Sequence, residues 1–136
     1  MRTILITLLT TVLMATNAYA DPPTLGMLQG SEVRMSVDFG GLNRSEVLHL
    51  HPDGTFSGNY ERRRPVTRGS WESWTGSMNG RWSYAGDELC FEGRGLEYRG
   101  RSCYRLTKSN YSPRQWYGAH SGTGDIWSVF VYPRGS

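Results

Sequence analysis

Lysine is nearly missing from this chain of 136 residues: Lys108 is the only one, and every other cationic side chain at neutral pH is an arginine. The net charge is +3, and removal of Arg2 with a leader would lower it by one. Such a slight excess argues against a nucleic-acid partner and against strong attraction to anionic lipid. No sustained helical period appears. The longest apolar run, residues 4–14, is about eleven residues, too short for a bilayer of roughly 30 Å. A Gly-x-Ser-x-Gly elbow is missing, which removes the commonest serine-hydrolase signature. Gly93-Arg94-Gly95 and residues 118–124 are glycine-rich but precede no helix, so they do not form phosphate cradles. Carboxylates are scattered, and spacing places no pair of them as acid and base.

What is present begins with an export signal. Arg2 supplies a positive start, residues 4–14 an apolar stretch, and Ala18-Tyr19-Ala20 a small-x-small cleavage site. Residues 1–20 are therefore expected to be a signal peptide, and a soluble mature chain is expected to start at Asp21 in a periplasmic or extracellular space. No cysteine follows the cleavage site, so a lipid anchor is not expected. Residues 21–30, with Pro22, Pro23, Gly26 and Gly30, read as an irregular lead-in, and residues 31–136 as one β domain.

Cys90 and Cys103 are the only cysteines. Export would place them where a disulfide persists. If they face each other across an antiparallel hairpin, Glu88 falls opposite Arg105 and Glu92 opposite Arg101, with the turn centred on Leu96-Glu97. Leu89 and Tyr104, then Phe91 and Ser102, take the other face. One register thus satisfies sulfur proximity, charge pairing and apolar segregation together.

Short β-type runs separated by turn residues continue along the chain. They cover residues 32–37, 46–51, 55–60, 69–75, 80–84, 88–92, 98–106, 111–117 and 126–132. Pro52-Asp53-Gly54, Ser77-Met78-Asn79-Gly80 and Ala85-Gly86-Asp87 read as turns. The expected fold is all-β: an antiparallel meander of about eight or nine short strands, forming a closed or partly closed barrel with one disulfide. Val33, Met35 and Val37, Leu48 and Leu50, and Trp82 with Tyr84 mark inner faces. The last strand is apolar on both faces, which predicts a cover or a partner on its second one.

Residues 48–56 (Leu-His-Leu-His-Pro-Asp-Gly-Thr-Phe), Gly80-Arg81-Trp82, Leu89-Cys90 and Cys103-Tyr104-Arg105-Leu106 resemble an uncharacterised family of small secreted bacterial proteins. Its shared pattern is an Asp-Gly-Thr turn, a Gly-x-Trp strand and a two-cysteine hairpin. The resemblance covers roughly residues 46–107 and implies architecture rather than activity. Lipocalins share only the general architecture, because their Gly-x-Trp opens the first barrel strand and here it lies mid-chain.

Three groups are candidates for function. His49 and His51, two apart, share a strand face as metal ligands often do, with His120 or Asp53 as a third ligand. Leu48 and Leu50 claim the core face, which leaves both histidines facing solvent, and no cofactor is expected. Arg62-Arg63-Arg64-Pro65 is a cationic cluster suited to a phosphate, a carboxylate or an acidic partner, and it is expected to be exposed and separate from the core. Trp71, Trp74, Trp116 and Trp127 are either core residues or outward platforms for flat ligands. Trp71 and Trp74, three apart, should divide between core and surface. The reading is a non-enzymatic secreted module that binds a small molecule, a glycan or an envelope protein. The alternatives are a metal-assisted enzyme using His49 and His51, or an inhibitor of a cell-wall hydrolase.

Overall fold

The alternating runs form eight strands that close on themselves in the computed structural model, which describes residues 21–134. The expected signal peptide, residues 1–20, lies outside the described residues. The strands are β1 (Glu32–Asp38), β2 (Asn43–Leu50), β3 (Thr55–Thr67), β4 (Ser70–Ala85), β5 (Glu88–Arg94), β6 (Ser102–Lys108), β7 (Gln115–His120) and β8 (Ile126–Tyr132). Each pairs antiparallel with its sequence neighbour, and β1 returns to β8 with Met35 opposite Val129, closing the barrel.

Strand alternation decides what fills the lumen. Val33, Met35 and Val37 from β1, Leu48 and Leu50 from β2, Leu89 and Phe91 from β5, and Trp127, Val129 and Val131 from β8 are all buried. Phe56 meets Phe91 edge to face at 5.1 Å between ring centres, and Phe91 meets Tyr104 at 6.2 Å. The outer face of β8 carries Phe130 and Tyr132, half-buried, and the Arg34 guanidinium lies 5.1 Å over the Tyr132 ring. The second apolar face of β8 is thus partly covered from within the chain.

The lead-in is more ordered than its prolines and glycines suggest. Residues Leu25–Leu28 form one helical turn, α1, capped by the Thr24 hydroxyl, which accepts from the Met27 N–H at 3.2 Å. Leu28 is fully buried. Gly30 N–H donates to the Leu50 carbonyl at 2.7 Å, Tyr84 OH to the Pro23 carbonyl at 2.6 Å, and Trp116 Nε1–H to the Asp21 carbonyl at 3.0 Å. These bonds tie residues 21–30 to the end of the barrel where β2, β4 and β6 finish.

Several bounds differ from the sequence reading: β2 begins at Asn43 and not at residue 46, β6 covers Ser102–Lys108 and not 98–106, and β7 covers Gln115–His120 and not 111–117. The expected runs 69–75 and 80–84 merge into one strand, β4, which begins at Ser70 after a turn at Gly69, so the expected turn at residues 77–80 is strand interior. Gly80 lies opposite Gly93, and a Cβ on either would strike the other strand's backbone. This glycine marks close strand packing, not a chain reversal. β3 also runs on to Thr67, beyond the expected end at residue 60.

The disulfide hairpin has the expected register. Cys90 bonds Cys103 with Cα atoms 4.0 Å apart, and Glu88, Leu89 and Phe91 face Arg105, Tyr104 and Ser102. Glu92 pairs with Arg101 at 3.9 Å, whereas Arg105 reaches Asp87 at 3.7 Å. Residues 95–101 form no tight turn, because they fold across the barrel mouth. Replacing both cysteines with alanine should lower stability by about 3 kcal/mol, the chain-entropy value for a loop of this size. Urea unfolding of the two proteins side by side checks this; equal midpoints would show that the bridge adds nothing.

Candidate functional site

The two longest strands outrun their neighbours. β2 ends at Asn43, opposite Arg63, and the β5 ladder reaches only Asn79, so β3 and β4 continue past the barrel as a two-stranded arm. Nothing apolar in residues 61–64 demands a buried face, and the arm carries none. Trp71 and Trp74 are 50% and 41% exposed. Facing pairs set the two sides: Arg62 opposes Trp74 and Arg64 opposes Glu72 on the lumen side, while Arg63 opposes Ser73 and Pro65 opposes Trp71 on the other. The Arg64 guanidinium lies 5.0 Å over the Trp74 ring, and that of Arg63 4.9 Å over Trp71, so each side carries one cation–π pair.

On the lumen side, where the arm leaves the barrel, Leu42, Tyr60, Arg62, Arg64 and Trp74 line a groove of about 580 Å³. Tyr60 lies flat there because residue 76 is glycine, and a Cβ at that position would come within 2.5 Å of the phenol ring. Arg62 Nη2 reaches Glu97 Oε1 at 3.4 Å, but its Nε is buried and has no hydrogen-bond partner among the described residues. Arg64 is held by Glu72 at 3.1 Å.

Beneath the groove a set of charges enters the barrel. Arg44 and Glu46 point into the lumen, both about 3% exposed, and Arg44 Nε meets Glu46 Oε2 at 2.6 Å. Arg44 also reaches Glu97 at 3.3 Å, donates to the Gly95 carbonyl, and lies 4.1 Å under the Tyr60 ring. Burial pushes the Glu46 carboxyl above its usual range, and the adjacent guanidinium only partly offsets this. Glu97 therefore bridges the interior arginine and Arg62 of the groove.

The loop that carries Glu97 is fixed by a second network. Tyr98 OH donates to Asp125 Oδ2 at 2.7 Å and accepts from Trp127 Nε1–H at 3.1 Å. Its ring stacks on His120 at 3.6 Å. The Thr123 N–H donates to His120 Nδ1 at 3.2 Å, and the Thr123 hydroxyl donates to Asp125 at 2.8 Å. These donors hold the Asp125 carboxyl below its ordinary range, and burial lowers His120. Every member of this network already has a partner, so it reads as a clasp for residues 95–101.

The structure divides the sequence candidates. Arg62, Arg64 and Trp74 converge on the groove; Arg63 and Trp71 occupy the opposite side of the same arm. Trp116 and Trp127 are core residues at 3% and 0% exposure, so neither is a surface platform. Trp71 and Trp74 do face opposite sides, but neither is core, because β4 has left the barrel by that point. Arg62 is not separate from the interior, since Glu97 joins it to Arg44. His49 and His51 are both exposed, and His51 Nε2 lies 3.1 Å from the Ser57 hydroxyl. Among the described residues the one converging group of three metal-type ligands is Glu88, Cys90 and Cys103, whose sulfurs form the disulfide. His120 belongs to the clasp and Asp53 to a turn with Thr55. Sequence reasoning missed Tyr60, Leu42, Arg44, Glu46 and Glu97. For Arg44 and Glu46 the signal was there: they share strand parity with Leu48 and Leu50. Among the described residues no helix is long and apolar enough to cross a membrane. In comparisons with known proteins, no family model and no curated protein matches this chain.

Proposed function

We propose that this chain is an exported, non-enzymatic binding module whose groove at the base of the β3–β4 arm takes an acidic glycan. The observation that carries this reading is the convergence of an indole, a phenol and two guanidiniums on one open groove. Sugar rings stack on flat aromatic faces, and guanidiniums fork onto carboxylates. The lumen is filled by side chains, which turns the ligand site outward to the mouth. The disulfide supports export, because such bridges persist in oxidising compartments.

Retention on immobilised polygalacturonate, compared with a neutral galactan matrix, tests the reading. The wild type should be retained only by the acidic polymer, and Trp74→Ala or Arg64→Ser should each weaken retention about tenfold, equivalent to roughly 1.4 kcal/mol. Equal retention on both matrices, or variants that bind as well as the wild type, would sink it. A second reading, insertion of the arm into the cleft of a cell-wall hydrolase, is favoured by Trp71, exposed on the side away from the groove. That reading expects Trp71→Ala to relieve inhibition of a muramidase by this protein. No inhibition by the wild type removes it.

A further inference from the structure

The two edges of the arm are not equivalent. On the β3 side the free segment is short: β2 ends opposite Arg63, and a register shift follows between Pro65 and Thr67. Main-chain direction alternates along a strand. Trp82 N–H bonds to Gly54 on the β3 side, so the even-numbered residues of β4 face β3 and the odd-numbered ones face outward. The same alternation points position 65 of β3 outward, where proline has no N–H to offer. Proline and a bulge are common guards of a sheet edge. The β4 edge has no such guard. Residues 70–76 lie beyond the β5 ladder; Gly76 and Glu72 are half-buried and the rest are exposed. Trp71, Ser73 and Thr75 direct their N–H and C=O groups off this edge.

We propose that the β4 edge pairs with the same edge of a second copy, in an antiparallel register centred on Ser73, to form a four-stranded sheet across a two-fold axis. A two-fold axis perpendicular to the ribbon keeps like sides together. Ser73 then meets its own counterpart, and Trp71 meets Thr75 of the other copy, an aromatic and β-branched pairing that favours sheets. All three outward positions exchange both main-chain hydrogen bonds. On the lumen side Glu72 meets the other copy's Trp74, and the guanidinium stacked over that indole is Arg64. Each Glu72, already 3.1 Å from its own Arg64, thus gains a second arginine across the axis. Charge complementarity selects this register. Centring on Glu72 would oppose two carboxylates, and centring on Thr75 would leave Trp71 opposite residue 79, which β5 already pairs. Both grooves would open on one side of the shared sheet, where a polymeric ligand could engage them together.

The dimer does not rest on the glycan reading, and its test uses no ligand. Sedimentation of the purified protein should give a molar mass twice that of one chain at about 0.1 mM, where a micromolar self-association is nearly saturated. Glu72→Arg should return it to a single chain, and adding Arg64→Glu should restore the dimer. Ser73→Cys should cross-link on mild oxidation, because a hydrogen-bonded antiparallel pair sets Cα atoms about 5.5 Å apart, within disulfide reach. Ser77→Cys should not cross-link. A single-chain mass throughout, failure of the charge swap to restore the dimer, or equal cross-linking at residue 77 overturns the proposal. The first of these would leave the edge to a strand from a different protein. Circular dichroism of each variant confirms that the barrel is intact.

Discussion

Arg44→Met should destabilise the fold by about 3–5 kcal/mol at neutral pH, the usual penalty for breaking a buried ion pair from one side. The variant leaves Glu46 about 3% exposed and without its guanidinium. Glu97 suffers less, because Arg62 still reaches it at 3.4 Å. The sign of the pH dependence follows from the same burial. Glu46 already titrates above its ordinary value of 4.5, with burial as the largest cause. Between that ordinary value and the raised one, the folded state binds more protons than the unfolded state, so stability falls as pH rises. Removing Arg44 widens this window upward. The deficit of Arg44→Met should therefore shrink as the solution is acidified through the raised value, with the full relief reached below the unfolded one. Adding Glu46→Leu should recover most of the loss at neutral pH, since an apolar pair can replace a buried ionic one at little net change. Urea unfolding of the three proteins at several pH values is the measurement. A deficit under 1 kcal/mol, or one indifferent to pH, would show that Glu46 is not the burdened group.

The parts of this fold that sequence made legible are those where short-range constraints agree. Cys90 and Cys103, flanked by alternating charges and apolar residues, admit one register, and the barrel has it. The Asp53–Gly54 turn and the inner faces of β1 and β2 were readable for the same reason: period two plus turn chemistry. The mouth was not. Starting β2 at residue 46 hid Arg44, and a charged residue two positions from Glu46 looks like the solvent side of a strand. Only the lumen partners Glu97, Gly95 and Tyr60 explain its burial, and they come from strands and loops far along the chain. A turn centred on Leu96-Glu97 with a strand from residue 98 looked sufficient, yet Leu96 is apolar where a solvent turn would carry small polar residues, and β6 begins only at Ser102. Parity correctly separated Trp71 from Trp74, but it cannot say whether a strand is still inside the barrel. That depends on where β2 and β5 stop. The groove depends on the same stopping points, so its members were nameable one by one and not as a set.

Trp127→Ala should cost about 3–5 kcal/mol, the range for truncating a large buried aromatic side chain. Trp127 has no exposed surface. Its ring meets Tyr104, Tyr98 and Phe39 edge-on at 5.6, 6.2 and 6.4 Å between centres. Alanine would leave a cavity that these three rings, held by β6, the clasp loop and the β1–β2 connection, cannot all close. The indole also donates to Tyr98 OH, which in turn donates to Asp125. Trp127→Phe separates the two roles: it keeps most of the packing and removes the N–H, so its cost should be nearer 1 kcal/mol, one hydrogen bond's usual net worth. Loss of the clasp should also be visible locally. Residues 95–101 carry Glu97, the link between Arg44 and Arg62, so amide exchange there should quicken in Trp127→Ala well before the barrel unfolds. In Trp127→Phe it should stay close to the wild-type rate. If Trp127→Ala matched the phenylalanine variant in both stability and exchange, the indole would be filling space that its neighbours can reclaim, and the clasp would stand without it.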